Sequence, residues 1–302
     1  MNYADSIQAF IGKTPMLKLN HLDVPEGVGF FAKLELFNPA GSVKDRVGQY
    51  MVAEAERSGH LLPGGTIVEA TAGNTGIGIA VAALNKGYRV IFVVPGKFSM
   101  EKQAVMKALG AEIVSTPREG GMQQAAQTAE AMLKTIPGAI SLRQFENPAN
   151  PLAHYETTGP EIYRQLDGNI DYFVAGAGSG GTFSGVMRYL KEQNPNIQGI
   201  LADPIGSTIG GGEHRDYDIE GIGNDFIPKT MDSSLVDRVM KVGDTEAFDT
   251  ARLLARKEGV VAGSSSGAAL AAALRLASDV QQGNIVVIFP DRGDRYFSKN
   301  LF

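Results

Sequence analysis

From Pro63 onward, short β-branched apolar runs bounded by Gly or Pro alternate with longer stretches whose apolar residues recur at helical spacing. That alternation is the pattern of a parallel sheet with crossover helices. The runs predict strands at 66–70, 89–94, 112–115, 172–175, 199–202 and 285–289. Helices are expected at 76–86, closed by Gly87; from Ser99 and Glu101 to Gly110; and at 245–257, where Phe248, Ala251 and Leu254 share a face and Gly259 is the stop. Another opens at Lys44, with Val47, Tyr50 and Met51 on one side. The fold class is therefore α/β, with two lobes of parallel-rich twisted sheet flanked by helices. No internal repeat or low-complexity segment divides the chain. The softest boundary is N-P-A-N-P (147–151), where two Asn-Pro pairs interrupt regular structure. Two lobes meeting there would hold a ligand in a cleft at the carboxyl ends of the strands.

Composition narrows the function. The 302 residues are 43% hydrophobic, enough for a substantial core, and 28 Lys and Arg stand against 33 Asp and Glu for a net charge of −5. A sequence-independent nucleic-acid binder needs an excess of basic charge, so no such partner is expected. The absence of Cys excludes disulfides, thiolate metal sites and a Cys nucleophile. His21, His60, His154 and His214 have no metal-ligand spacing, so their roles are read as surface or structural and no metal is expected. Residues 1–10 carry no basic-then-apolar signal pattern, and the longest apolar stretch, 267–274, is far short of the ~20 residues of a spanning helix. A soluble, cytoplasmic protein with no membrane partner is expected.

The 37 glycines are in excess of the ordinary share of roughly 7%, and glycine weakens helices and strands. Three clusters fall between a predicted strand and a predicted helix: Gly73-Asn74-Thr75-Gly76, the run from Gly176 to Thr182, and Gly263-Ser264-Ser265-Ser266-Gly267. Such turns let backbone N–H groups approach a ligand, and the helix N-terminus behind them favours an anion. Gly176, Gly178 and Gly181 also spell G-x-G-x-x-G, followed at the end of the next strand by Asp203, which is the dinucleotide-binding pattern of a nicotinamide dehydrogenase. That reading leaves the other two turns without a role. A P-loop is excluded because its motif does not occur. Lys44 follows Pro39-Ala40-Gly41-Ser42 at a helix start, where the dipole disfavours its protonated form and suits an amine that forms a Schiff base. Asp291, Arg292, Asp294 and Arg295 read either as a charged catalytic knot or as a salt-bridged loop.

The segments N-P-A-G-S-V-K-D-R (38–46), E-A-T-A-G-N-T-G-I-G (69–78), Q-F-E-N-P-A-N-P (144–151), H-Y-E-T-T-G-P-E-I (154–162), G-S-G-G-T (178–182), E-G-I-G-N-D-F-I-P (220–228) and G-S-S-S-G-A-A (263–269) together resemble the cysteine synthase and cystathionine β-synthase family. The match runs in order through nearly the whole chain. It implies a fold-type II enzyme dependent on pyridoxal 5′-phosphate, with the tryptophan synthase β-like architecture. A larger cofactor-binding domain (1–35 and 145–302) and a smaller, mobile, substrate-closing domain (36–144) would follow, as would a homodimer. By the same resemblance Lys44 forms the internal aldimine and moves the Cα proton. Asn74 holds the phenolic oxygen, Gly178, Ser179, Gly180, Gly181 and Thr182 cup the phosphate, and Ser266 faces the pyridine nitrogen. Thr71, Ala72, Gly73, Asn74 and Thr75 close on the substrate carboxylate beside Gln144, with Gly73 and Gly76 as flexible points. Gly221 and Gly223 stand at the active-site mouth.

A neutral Ser266, where many pyridoxal enzymes place Asp, should keep the ring nitrogen unprotonated and favour β-elimination over transamination. The reaction implied is a β-replacement between an amino acid and a sulfur nucleophile. Its first form is O-acetylserine plus sulfide giving cysteine and acetate. The alternative is cystathionine formation from O-acetylserine or serine plus homocysteine, with cysteine desulfhydration as a side activity. The sequence points both ways: residues 220–226 look like the cystathionine synthase pattern, whereas Asn38-Pro39-Ala40 and the 291–295 segment look like the cysteine synthase B branch. Ala72 stands where many cysteine synthases have Ser, which would remove one substrate hydrogen bond.

Overall fold

A computed structural model describes residues 3–96, 99–299 and 301–302. In chain order the main elements are β1 (Met16–Lys18), β2 (Val28–Leu34), α1 (Lys44–Arg57), β3 (Thr66–Ala70), α2 (Asn74–Ala83), β4 (Arg89–Pro95), α3 (Met100–Ala108), β5 (Glu112–Thr116), α4 (Gly121–Thr135), β6 (Ala139–Ile140), α5 (Ala149–Ala153), α6 (Gly159–Gln165), β7 (Tyr172–Gly176), α7 (Gly181–Gln193), β8 (Gln198–Pro204), β9 (Arg238–Val242), α8 (Asp244–Glu258), α9 (Ser264–Asp279) and β10 (Gly283–Phe289). A wide π turn, His154–Thr158, joins α5 to α6. All six predicted strands are present, and Gly259 ends α8 in the left-handed conformation, with φ +70°. Ser99 caps α3 by accepting from the Lys102 N–H.

Two compact units make up the chain, Met1–Ile11 with Lys44–Ala149 and Gly12–Val43 with Asn150–Phe302. The later break lies within the Asn-Pro boundary. The expected 1–35 segment is divided: its first part joins the smaller unit, where the Gln8 side-chain amide donates to the carbonyls of Val81 (3.0 Å) and Leu84 (3.3 Å).

The first unit holds a four-stranded, wholly parallel sheet of order β5-β4-β3-β6. Val68, Ile91 and Val93 pack one of its faces against Ala125 and Ala129 of α4. The second unit holds six strands in the order β1-β2-β10-β7-β8-β9, parallel except for the β1–β2 pair. Alternate residues along β10 serve opposite faces. Ile285, Val287 and Phe289 meet the α8–α9 layer, while Val286 and Ile288 meet the layer containing Phe183, Val186 and Leu190 of α7. A sheet covered on both faces needs near-continuous apolar strands, which is why these runs were legible.

Four strands were not foreseen. β1 and β6 are three and two residues long, and β9 is an edge strand with exposed residues at its start. β2 hides behind Lys33, a fully buried lysine whose Nζ donates to Thr14 O (2.8 Å), Glu161 Oε2 (2.8 Å) and Gln165 Oε1 (3.0 Å). A buried charge with that many partners is stable in a strand but breaks the apolar pattern.

The expected 76–86 helix instead begins at Asn74 and ends at Ala83. Its position is set by backbone contact with α1. A Cβ on Gly48 would lie 2.4 Å from the Gly78 carbonyl carbon, and one on Gly78 would lie 2.2 Å from the Lys44 carbonyl oxygen. These two glycines are therefore required by close approach, and the Lys44 backbone is seated directly on α2. Replacing Gly78 with Ala should destabilise the protein by about 3 kcal/mol, the upper end of the cost of overpacking, read as a lowered midpoint in chemical denaturation. An unchanged midpoint would refute the contact.

Candidate active site

In the first unit, chain order reverses at β3: β4 and β5 succeed it on one side, and β6 returns on the other. Loops leaving adjacent carboxyl ends diverge at such a point and open a crevice for a ligand. The loops here are 71–73, after β3, and 141–144, after β6. They bring together most of the substrate residues expected from the sequence. Thr71 is buried, its N–H donating to Val93 O at 3.2 Å, while Ala72, Gly73 and Asn74 are half-buried. Gly73 is the N-cap of α2 and brings no capping side chain of its own; the first amides of a helix lack intrahelical acceptors and favour an anion. The Thr75 hydroxyl donates to Gln144 Oε1 at 2.6 Å, joining the two loops. Lys44, half-buried, is the first residue of α1.

Gly76 is not a flexible point. It lies within α2, and a Cβ there would come within 2.8 Å of both Met106 Cε and Thr71 Cγ2. Gly73, by contrast, has open space where its Cβ would be.

In the second unit, the reversal falls at β7, which β8 and β9 follow on one side and β10 on the other. The glycine-rich turn leaves this point. Gly180 has φ +81° and leads into α7, whose first N–H groups have no partner within the helix. Three neighbours close around the turn so tightly that side chains are excluded. A Cβ on Gly178 would lie 2.5 Å from Gly221 O, one on Gly180 2.5 Å from Met231 Cβ, and one on Gly181 2.1 Å from Asn150 Oδ1.

Hydrogen bonds then fix the turn's side chains and carbonyls. Asn150 Nδ2 donates to Ser179 Oγ (2.8 Å), and Thr182 Oγ1 lies 3.1 Å from His154 Nε2, whose Nδ1 is 2.8 Å from Thr158 Oγ1 across the π turn. Thr230 Oγ1 donates to Ser179 O, Asn224 Nδ2 to Gly178 O (2.6 Å) and Gly223 N to Ala177 O (2.7 Å). The structure thus sets Gly221 and Gly223, both with positive φ, against the turn. Asn150, His154, Asn224 and Thr230 were given no such role from the sequence. Asn150, His154 and Asn224 lie within segments that carry the family resemblance, but nothing local marked any of the four as a support for the turn. His154 is fully buried, with a hydroxyl partner at each ring nitrogen.

Ser266 occupies the first turn of α9 and is fully buried, and its Oγ has no hydrogen-bond partner among the described residues. A buried hydroxyl without a partner is rare and calls for an explanation. Nearby, Tyr296 donates to Asp291 Oδ2, and burial, then the Asp291 charge, pushes the Tyr296 phenol well above its ordinary pKa. Arg292 and Arg295 donate to the carbonyls of Leu36 and Ala40, so the charged 291–295 segment anchors a neighbouring loop. Tyr217, beside Gly223, is pushed up to about 12 by burial and by Asp203, Asp225 and Asp244.

Asp203, the ribose-binding acid of the dinucleotide reading, is wholly buried; its Oδ2 accepts from Lys241 Nζ (2.5 Å) and Gly210 N (3.0 Å). It is not presented to a ribose. Among the described residues no group of His, Asp and Glu is arranged to hold a metal ion, and no helix is long and apolar enough to cross a membrane.

Parallel-rich sheets flanked by helices, as in these two units, are the architecture of the fold-type II pyridoxal-phosphate enzymes that the chain superposes on. The model of the family described as pyridoxal-phosphate dependent enzyme matches residues 7–291, and the chain belongs to that family. Over 100% of its length it is 50% identical to an O-acetylserine dependent cystathionine β-synthase of Bacillus subtilis (strain 168), covering 99% of that protein. It is 46% identical to a cysteine synthase of Helicobacter pylori (strain J99), with 98% of each chain covered. A crystal structure of an O-acetylserine dependent cystathionine β-synthase from Helicobacter pylori superposes with a TM-score of 0.95 at 44% identity, covering 100% of both chains.

The residues present fit the family's cofactor. The glycine turn at the α7 N-terminus suits a phosphate, and the partnerless Ser266 hydroxyl suits the nitrogen of a pyridine ring. Removing that hydroxyl takes away an unsatisfied buried group, so Ser266→Ala should leave the cofactor-free protein as stable or more stable by about 1 kcal/mol, while pyridoxal phosphate binds more weakly. Denaturation of the cofactor-free chain and equilibrium dialysis measure the two; a destabilised cofactor-free variant would contradict this account of Ser266.

Proposed function

We propose that this protein is an O-acetylserine-dependent β-replacement enzyme whose preferred nucleophile is the thiol of homocysteine, giving cystathionine and acetate. The observation that carries the proposal is full-length similarity to a Bacillus subtilis protein described in those terms, together with residues suited to each role. The Glu220–Phe226 sequence supports the same choice of nucleophile. A second reading, sulfide as nucleophile and cysteine as product, was placed first by the sequence and is favoured by the cysteine synthases among the relatives.

When bound, pyridoxal phosphate supplies an electron sink for the charge that develops at the substrate Cα. In this reading Lys44 would hold the cofactor through its side-chain amine, and the same amine would take the substrate's Cα proton and later return it. The substrate Cβ–O bond would break with acetate carrying off the electron pair, and a Cβ–S bond would replace it as the thiol gives up its S–H proton to solvent. Thr71, Ala72, Gly73, Asn74, Thr75 and Gln144 bind the amino-acid carboxylate, and Asn74 also holds the cofactor's phenolic oxygen. Gly178, Ser179, Gly180, Gly181 and Thr182 bind the phosphate, Ser266 faces the ring nitrogen, and Gly221 and Gly223 border substrate entry. The segment 44–149 is the substrate-binding unit and the other the main cofactor-binding unit. A homodimeric, cytoplasmic enzyme belongs to the same reading.

Steady-state kinetics with O-acetylserine and either homocysteine or sulfide decide the nucleophile. A higher kcat/KM for homocysteine is expected; clear preference for sulfide would establish the second reading, and no thioether or cysteine with either would refute both. Lys44→Ala should abolish the cofactor's visible band and lower turnover by about 10³-fold or more, in line with loss of a positioned acid–base group.

A further inference from the structure

Glu69 stands next to the end of β3, beside the path of the chain as it leaves β6. Its Oε2 accepts from Ser141 Oγ (2.8 Å), Leu142 N (2.9 Å) and Arg143 N (3.4 Å). The carboxyl is buried, and burial raises its pKa, opposed by those three hydrogen bonds and by the Arg143 charge. A buried carboxyl is costly unless it is hydrogen-bonded, and here one oxygen collects a hydroxyl and two successive amides.

The segment it holds has an unusual backbone. Arg143 has φ +50°, a left-handed conformation that costs a bulky L residue energy unless its surroundings impose it. The Arg143 guanidinium pairs with the exposed Glu130, 3.2 Å away, and such surface pairs are weak. The backbone is held from two sides: the 142 and 143 amides donate to Glu69, while Leu142 O accepts from Asn147 Nδ2 (2.9 Å) and Arg143 O from the amides of Glu146 and Asn147 (2.9 Å each). The next residue is Gln144, whose Oε1 accepts from Thr75 Oγ1. One carboxyl at the strand reversal thus ties 141–143 to the strand that also leads into the 71–75 turn, and it takes the hydrogen bonds of this segment to that strand.

We propose that Glu69 is a positioning residue for amino-acid binding: it clamps 141–143 in the conformation that delivers Gln144 to Thr75, and it acts through Gln144 without touching substrate. The proposal rests on the reading of 71–75 and Gln144 as the amino-acid carboxylate site. A purely structural role in the small sheet would affect the whole unit, whereas a clamp affects one loop and one Michaelis constant.

The test uses the holoenzyme with Glu69→Ala and, as a milder variant of the same volume, Glu69→Gln. Amide hydrogen exchange at Leu142 and Arg143 should accelerate about tenfold in Glu69→Ala, with KM for O-acetylserine rising about tenfold while kcat, KM for the thiol and cofactor affinity stay within about twofold. Glu69→Gln should fall between the variant and the parent, and Glu69→Ala should add little to the KM of Gln144→Ala, because residues acting through one contact are not additive. Unchanged exchange in both Glu69 variants overturns the clamp whatever the kinetics. Faster exchange with an unchanged O-acetylserine KM, or parallel loss of cofactor affinity and both KM values, overturns its role in positioning. A normal O-acetylserine KM in Gln144→Ala overturns the underlying carboxylate-site reading instead, and leaves the exchange result to judge the clamp.

Discussion

In each unit the candidate site residues rest on the reversal of strand order in that unit's own sheet, at β3 in one and at β7 in the other. A parallel sheet sends all its carboxyl ends the same way, and only where successive connections depart to opposite sides do two loops separate enough to leave room for a ligand. Each unit has one such place, and each is occupied by a glycine-containing turn followed by a helix. The 71–73 turn leads into α2, and the 177–180 turn leads into α7. Backbone amides at a helix start favour anions, so the topology gives each unit one turn suited to an anion.

Glycine serves this arrangement mainly through proximity. Gly48 and Gly78 bring two helix backbones together and so place Lys44; Gly178 and Gly181 let a second layer of chain close over the phosphate turn. Gly76, which the loop sequence made a natural hinge, is instead a packing residue. Protein interiors pack as densely as organic crystals, and a side chain would run into the facing helix backbone at Gly48 and Gly78, the Gly221 carbonyl at Gly178 and the Asn150 amide at Gly181.

Buried polar residues do the remaining alignment. Glu69 orders 141–143, while Asn150 and His154 hold the Ser179 and Thr182 side chains. Each has found partners, as the cost of burying polar groups demands. The Ser266 hydroxyl, like that of Thr116, has no partner among the described residues, and its position at the start of α9 makes it a group suited to an outside acceptor.

By itself the sequence determined the α/β class, the six apolar strands, the turn glycines and the segments shared with the pyridoxal-phosphate family, because each is written locally, in periodicity or in contiguous motifs. It also carried Lys44, as the first residue of a helix, and, through the family resemblance, Gln144 beside the 71–75 loop, though without the bond that joins it to Thr75. β2 was obscured by Lys33 and β6 by its brevity, since neither leaves a periodic trace. The pairing of Thr75 with Gln144, the seating of Lys44 on Gly78 and the hold of Glu69 on the 141–143 segment were decided only in the tertiary structure. Hydrogen bonds and close contacts between residues far apart in the chain form where strand order brings them together, and no local pattern encodes that order.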